Sequence, residues 1–212
     1  MNYTVDELIN RYPELKVCRQ SIIDAYNILE KCYEDGNKLL IAGNGGSCAD
    51  SEHIVGELMK GFKSSRKLDD SMQKALKEVD SSCGEELANK LQGALPAIAL
   101  VDHQALNTAF INDVENGGNL AFAQQIMGYG NKGDVFLAIT TSGNSKGIYN
   151  ACVVAKAKGL KIIGLTGKDG GKLKTIADVS IIAPSNETFM IQELHLPIYH
   201  CLCLLLENKF FK

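Results

Sequence analysis

His53 and Glu57 stand four residues apart, so on a helix they share one face. A histidine and a carboxylate so placed can bind a metal ion or move protons. Just ahead of them lies Gly43-Asn44-Gly45-Gly46-Ser47, and Gly and Asn tolerate the positive φ of a tight turn. The apolar run 38–41 before that turn reads as a buried strand, and Ser47 or Asp50 can cap the helix that follows. Strand, glycine-rich turn and helix N-terminus together offer backbone N–H groups and a positive dipole end. Such a corner suits a phosphate, another anion or a polar sugar.

A second corner of this kind lifts the first above simple punctuation. After the apolar run 134–139, Thr140, Thr141, Ser142 and Ser145 crowd hydroxyls into one loop, where Gly143 lets backbone approach a ligand. Hydroxyl and amide donors at a helix N-terminus are what a phosphate dianion needs. There is no GxxxxGK[ST] and no GxGxxG after a strand, which argues against nucleotide and dinucleotide sites. A third group, Gln192, Glu193, His195 and His200, falls on the last helical stretch. Gln192 and His200 are eight residues apart, roughly 12 Å on an ideal helix, so two side chains leaning together are needed for them to meet at one ion. Pro197 between them can distort the helix.

The elements that must hold these groups alternate. Helices are expected over 5–11 and 15–34, the second with Val17, Ile22, Ala25, Tyr26, Leu29 and Cys32 as its apolar stripe. The helix after the first glycine turn is expected over 47–62. Strands are expected at 95–101, 134–139, 160–165 and 179–183, with helices at 105–112, 120–129, 146–158 and from about 187 to 206. Continuously apolar strands alternating with helices mean a parallel sheet covered on both faces. Ligands in such sheets sit at the carboxyl ends of strands, near a switch in strand order. The turn 43–46, Asp102 and the loop 140–145 all lie at strand ends and can converge on one crevice. The charged stretch 64–93 reads as an insertion of two short amphipathic helices, with Leu68, Met72, Leu76 and Val79 spaced helically, then Leu87 and Leu91.

A length of 212 residues suits one α/β domain, here read as a single domain over 1–212 with N-terminal helices over 1–35. The formal net charge of -3, with no basic block, argues against nucleic acid, and no long apolar run argues for a membrane span. The opening residues carry early acids and no apolar core, so no signal peptide is expected. Seven cysteines without a CxxC point to reduced thiols in a cytoplasmic protein.

With these residues in view, the chain resembles the SIS (sugar isomerase) domain family, and within it the phosphoheptose isomerases. The matching motifs are GNGGS at 43–47, His53 with Glu57, PAIAL at 96–100, Asn112-Asp113 and GDV at 133–135. TSGNS at 141–145, LTGKDGGK at 165–172 and IQE at 191–193 with His200 complete the series. The resemblance implies a flavodoxin-like, five-stranded parallel sheet with helices on both faces. It implies a homotetramer with sites between subunits, and a phosphorylated seven-carbon sugar as substrate. Substrate contacts would fall on Asn44, Gly45, Gly46, Ser47, Glu57, Asn112, Asp113, Thr140, Thr141, Ser142, Ser145 and Gln192. Zinc, one per subunit, would be held by His53, Glu57, Gln192 and His200, and Glu57 with His200 would form the proton-transfer pair. The implied reaction is the aldose–ketose isomerisation of sedoheptulose 7-phosphate to D-glycero-D-manno-heptose 7-phosphate through an enediolate. The alternative is a non-catalytic SIS protein binding a sugar phosphate or a protein partner, of the replication-initiator-associating type. Those relatives lack the equivalents of Glu57 and His200. Three departures stand out: Thr140 where the family often has Ser, Phe189 where the heptose enzymes carry Asp, and a longer stretch at 64–93.

Overall fold

The computed structural model describes residues 3–101 and 103–211. Asp102, expected at a strand end, lies outside the described residues. Five parallel strands, β1 (Leu39–Ala42), β2 (Ala97–Ala99), β3 (Val135–Ile139), β4 (Lys161–Thr166) and β5 (Val179–Ile182), form one sheet in the order β2-β1-β3-β4-β5. This is the flavodoxin-like order, with its switch between β1 and β3. The strands expose opposite faces at alternate residues. Leu39, Ile41, Val135, Leu137, Ile163 and Ile181 pack under α1 (Val5–Arg11), α2 (Arg19–Glu34), α3 (Gly46–Met59) and α10 (Thr188–Phe210). Leu40, Ala42, Phe136, Ala138 and Ile162 pack under α7 (Ala121–Tyr129), α8 (Lys146–Ala157) and α9 (Leu173–Ile176).

Local chemistry explains several boundaries. Thr4 and Glu7 form a reciprocal capping box at the start of α1. The single helix expected over 15–34 is two pieces, because Pro13 opens a 3-10 helix over Pro13–Cys18 and α2 begins only at Arg19. Three residues per turn instead of 3.6 rotates Val17 out of the stripe, and it is 76% exposed. At α3 the cap is neither Ser47 nor Asp50. Gly45, at φ 58°, turns the chain, and α3 starts at Gly46 with no side-chain cap. The helix expected over 105–112 is α6 (Gln104–Asp113), which ends at Asn112-Asp113. The short α9 was not expected; its four residues are too few to show a period.

The stretch 64–93 carries α4 (Asp70–Val79) and α5 (Ser81–Lys90), which pack on each other. They join at Asp80, whose carboxylate accepts hydrogen bonds from the Ser82 and Cys83 N–H groups and so starts α5. Met72, Val79 and Leu91 are exposed.

The helix α10 is long and apolar enough to cross a membrane, yet half of its apolar window is buried within the fold. Ile191, Ile198, Tyr199, Leu202 and Leu206 belong to the core under the sheet. His195 is fully buried among them, with Nε2 3.2 Å from the Thr166 carbonyl oxygen and Nδ1 lacking a partner. Burial lowers its pKa from 6.5 to about 4. The unfolded chain therefore takes up the proton first as pH falls, so stability present above pH 6.5 is lost on the way down to about 4. The loss is on the order of 3 kcal/mol. Urea unfolding at pH 7 and pH 4.5 should show this drop in the parent, and a smaller one in His195→Met. Equal drops in both would place the acid sensitivity elsewhere.

Candidate active site

Parallel pairing of β1 with β3 brings the two expected loops side by side. Residues 43–46 leave β1, residues 140–145 leave β3, and Asn44 Nδ2 donates to Ser145 Oγ across the gap at 3.1 Å. Asn44, Gly45, Gly46, Ser47, Thr140, Thr141, Ser145 and Gln192 line a cavity of about 450 Å³ here, together with Ile139 and Thr188. The N-termini of α3, α8 and α10 all open onto it, and none has a side-chain cap. Their dipoles and first-turn donors make the cavity a place for an anion. Gly46 lets the Gln192 amide pack close: a Cβ there would have to push that amide aside.

The hydroxyl-rich loop is braced from behind. Gly143 takes φ 66°, and its carbonyl oxygen accepts from Leu173 N at 2.9 Å, while the Thr141 carbonyl accepts from Gly167 N at 3.1 Å. Asn144 Oδ1 accepts from Lys172 N at 3.1 Å. The second glycine-rich turn, 167–171, thus supports the first loop. Ser142 does not line the cavity; its Oγ accepts from Asn144 N at 3.2 Å. Thr188 was missed in the sequence, although it lies four residues before Gln192 and so on its face of α10. Asn112 and Asp113 do not line the cavity. They end the exposed helix α6 and hydrogen bond each other.

The second cluster lies further along the same two helices. His53 Nε2 is 3.1 Å from Glu57 Oε1, and His53 Nδ1 is 2.9 Å from the Tyr199 hydroxyl. That hydroxyl donates its proton to Asp50 Oδ1 at 3.2 Å, so it accepts from His53 Nδ1–H. In a neutral ring the remaining lone pair on Nε2 then faces a carboxylate oxygen, and a proton or a cation must lie between them. The His200 ring stands edge-on to His53 with centroids 5.1 Å apart. Glu57 Oε2 and His200 Nε2 are both buried without partners. Burial first, then nearby His53, pushes the His200 pKa down, against the pull of Glu57.

The structure thus brings His53, Glu57 and His200 together. Gln192 stands apart, against Gly46 in the cavity. Among the described residues no three His, Cys, Asp or Glu side chains form a closed metal-holding group. His195 belongs to the core and not to this cluster.

A parallel sheet of this order, with a hydroxyl-rich loop and a glycine turn flanking its switch point, is the arrangement found in proteins of the sugar isomerase (SIS) type. The SIS domain family matches residues 107–205. The phosphoheptose isomerase of a Nitratiruptor species is 40% identical over 193 residues, covering 91% of this chain and 88% of that one. That of Leptospira biflexa serovar Patoc is 43% identical over 173 residues, covering 82% and 75%. A solved phosphoheptose isomerase from Francisella tularensis superposes with a TM-score of 0.73 at 31% identity, covering 97% of this chain and 99% of that one. The chain belongs to the phosphoheptose isomerase family, a family of isomerase enzymes.

Ser145 tests the cavity. Ser145→Ala removes a hydroxyl donor and the partner of Asn44 without touching the core. Loss of one hydrogen bond to a charged group is worth roughly 1.5–3 kcal/mol, so KM for a sugar phosphate should rise about ten- to a hundredfold. The thermal midpoint should hold. An unchanged KM would remove Ser145 from the phosphate site.

Proposed function

We propose that the protein is an aldose–ketose isomerase converting sedoheptulose 7-phosphate to D-glycero-D-manno-heptose 7-phosphate. The observation that carries this reading is the pairing of buried, unpartnered Glu57 Oε2 with unpartnered His200 Nε2, on the two helices whose N-termini open onto an anion cavity. The cavity offers the Thr140, Thr141 and Ser145 hydroxyls and three helix N-termini to a phosphate dianion. Glu57 removes the proton from the carbon beside the carbonyl, leaving an enediolate. His200 gives a proton to the former carbonyl carbon, and the hydroxyl proton of the first carbon passes to the former carbonyl oxygen. The proton held by Glu57 goes back to His200, so the carbonyl has moved by one position and both groups are restored.

The residues brought together fit a zinc ion chemically: two imidazoles and a carboxylate supply nitrogen and oxygen donors. The opposed acceptors of His53 and Glu57, with the unpartnered Oε2 and Nε2, are what a cation would satisfy. His53, Glu57 and His200 would hold it; Gln192, expected as a fourth ligand, sits against Gly46 at the other end of α3 and would not reach the same ion within one chain. When bound, zinc would polarise the sugar carbonyl and favour the enediolate. The Tyr199–Asp50 pair fixes the orientation of the His53 ring, as outer hydrogen bonds commonly do for metal-ligating histidines.

We also read a cytoplasmic homotetramer with sites between subunits. Gly46 and Glu57 are eleven residues apart on α3, roughly 16 Å on an ideal helix, a long reach for one sugar phosphate. Leu106 and Ile111 on α6, and Phe189, Met190 and Leu196 on α10, are exposed apolar side chains that neighbouring copies can cover. Buried thiols at Cys18, Cys32, Cys152, Cys201 and Cys203, none in a disulfide, suit a reducing compartment.

Zinc per subunit and isomerisation rate, measured together, test the site. Glu57→Gln keeps size and an oxygen donor but loses basicity, so turnover should fall about 10²–10⁴-fold with zinc largely kept. His53→Ala should lose zinc and turnover together, and His200→Asn should lose turnover with part of the zinc. Near-parental turnover in Glu57→Gln or His200→Asn would sink the catalytic pair. Light scattering should give four copies per particle; a monomer with full activity would remove the inter-subunit site.

A further inference from the structure

The chain that leaves α3 sends a charged side chain straight back to it. Arg66 lies within the stretch read as an insertion, yet it is only 1% exposed and is the bulkiest of the fully buried side chains. Its Nη1 donates to the Leu58 carbonyl oxygen at 2.6 Å, and its Nη2 donates to the Glu57 carbonyl oxygen at 2.9 Å. Its Nε donates to Glu207 Oε1 at 2.9 Å. The guanidinium lies over the Phe211 ring, 4.6 Å from its centroid.

Glu207 is equally buried and fully used. Oε1 also accepts from Phe62 N at 2.8 Å, and Oε2 accepts from Lys63 N at 2.9 Å and Ser64 N at 3.1 Å. One carboxylate therefore gathers the chain just after α3, and one guanidinium gathers the last carbonyls of α3. The final carbonyls of a helix have no partner within it, and a cation there is favoured by the dipole. Here that cation comes from outside the helix and is bonded to α10.

The placement is specific. One carbonyl that Arg66 holds belongs to Glu57 itself. Glu207 lies seven residues, two turns, beyond His200 on α10 and so on the same face. The clamp thus runs from the backbone of one member of the proton-transfer pair to the helix of the other. We propose that Arg66, held by Glu207, is a positioning residue for Glu57. It stops the last turn of α3 from unwinding and sets the Glu57 carboxylate against His200. This rests on the reading of Glu57 and His200 as the proton-transfer pair.

Arg66→Lys keeps the charge but cannot reproduce a planar fork that reaches two carbonyls and a carboxylate at once. Displacing a catalytic group by about an ångström costs on the order of a hundredfold in rate. In Arg66→Lys and Glu207→Gln, kcat should fall at least about tenfold with KM within about twofold, because the anion cavity lies at the other end of α3. In a Glu57→Gln background the same changes should cause no further loss of the residual rate. Amide hydrogen exchange without substrate should speed up at residues 57–61 and stay unchanged in β3. Parental kcat in Arg66→Lys beside a lowered thermal midpoint would overturn the proposal, leaving a purely structural clamp. Multiplicative losses in the Glu57→Gln background would overturn it too. Should the parent itself turn over no sugar phosphate, the reading of Glu57 fails, and positioning of Glu57 for catalysis falls with it. The exchange data would then report separately whether Arg66 holds the turn. Should Glu207→Gln not fold, the kcat of Arg66→Lys decides alone.

Discussion

Everything at the ligand-facing end of this molecule depends on the parallel pairing of β1 with β3. Asp134, almost completely buried, sets it. One of its carboxylate oxygens accepts from the Lys38 backbone N–H at 3.0 Å, and the other accepts from the Lys38 ammonium at 2.6 Å and from Asn131 N at 2.8 Å. The register that follows aligns Leu39 with Val135 and Ala42 with Ala138. A slip by one residue would turn every side chain of β1 to the wrong face of the sheet. The same alignment carries residues 43–46 and 140–145 out of the sheet at the same level. Strand order reverses here, so no crossover helix fills the gap between the two loops.

Two helices then carry the chemistry away from that gap. The packed pair α3 and α10 both begin at the cavity and both run on to the His53, Glu57 and His200 cluster. A helix is a ruler with a rise of about 1.5 Å per residue, so the separation between the cavity and the His53, Glu57 and His200 cluster is built into their lengths. Holding two rods in register demands ties at both ends. Gly46 against Gln192 supplies close packing at the cavity end. The Tyr199 hydroxyl, bonded to both Asp50 and His53, ties the middle. The buried Arg66–Glu207 pair closes the far end, and its charges are tolerable because each guanidinium nitrogen and each carboxylate oxygen is hydrogen-bonded.

The stretch 64–93 is therefore not one thing. Its neck is core: Arg66 is buried, Lys67 pairs with Gln92, and Gly93 N donates to the Arg66 carbonyl. Its tip, α4 and α5, is surface, and α4 buries none of its residues. Charge-rich sequence hides this division, since an arginine at 66 looks like any other surface cation until its partners from α3 and α10 are in place.

The local sequence determined a good deal by itself. Apolar runs of four to seven residues bounded by turn residues pointed to strands covered on both faces, and glycine-rich turns with hydroxyls after them pointed to ligand corners or punctuation. Those signals are short-range, and they sufficed for the five-stranded parallel sheet, for the cavity residues Asn44 to Ser47, Thr140, Thr141 and Ser145, and for the His53–Glu57 pair. Cap identity was less legible, because a glycine at positive φ displaces the expected Ser47 or Asp50. Val17 was misplaced because a proline-led 3-10 helix changes the period. The tertiary structure alone decided that Thr188 faces the anion cavity while Asn112 and Asp113 do not line it. It alone put Gln192 with the glycine turn instead of beside His200. It alone revealed Arg66 as the tie between the two helices, since that role consists of contacts to residues 8, 9 and 141 positions away in the chain. No local pattern records partners at such distances; they exist only once β1 and β3 have set where α3 and α10 must lie.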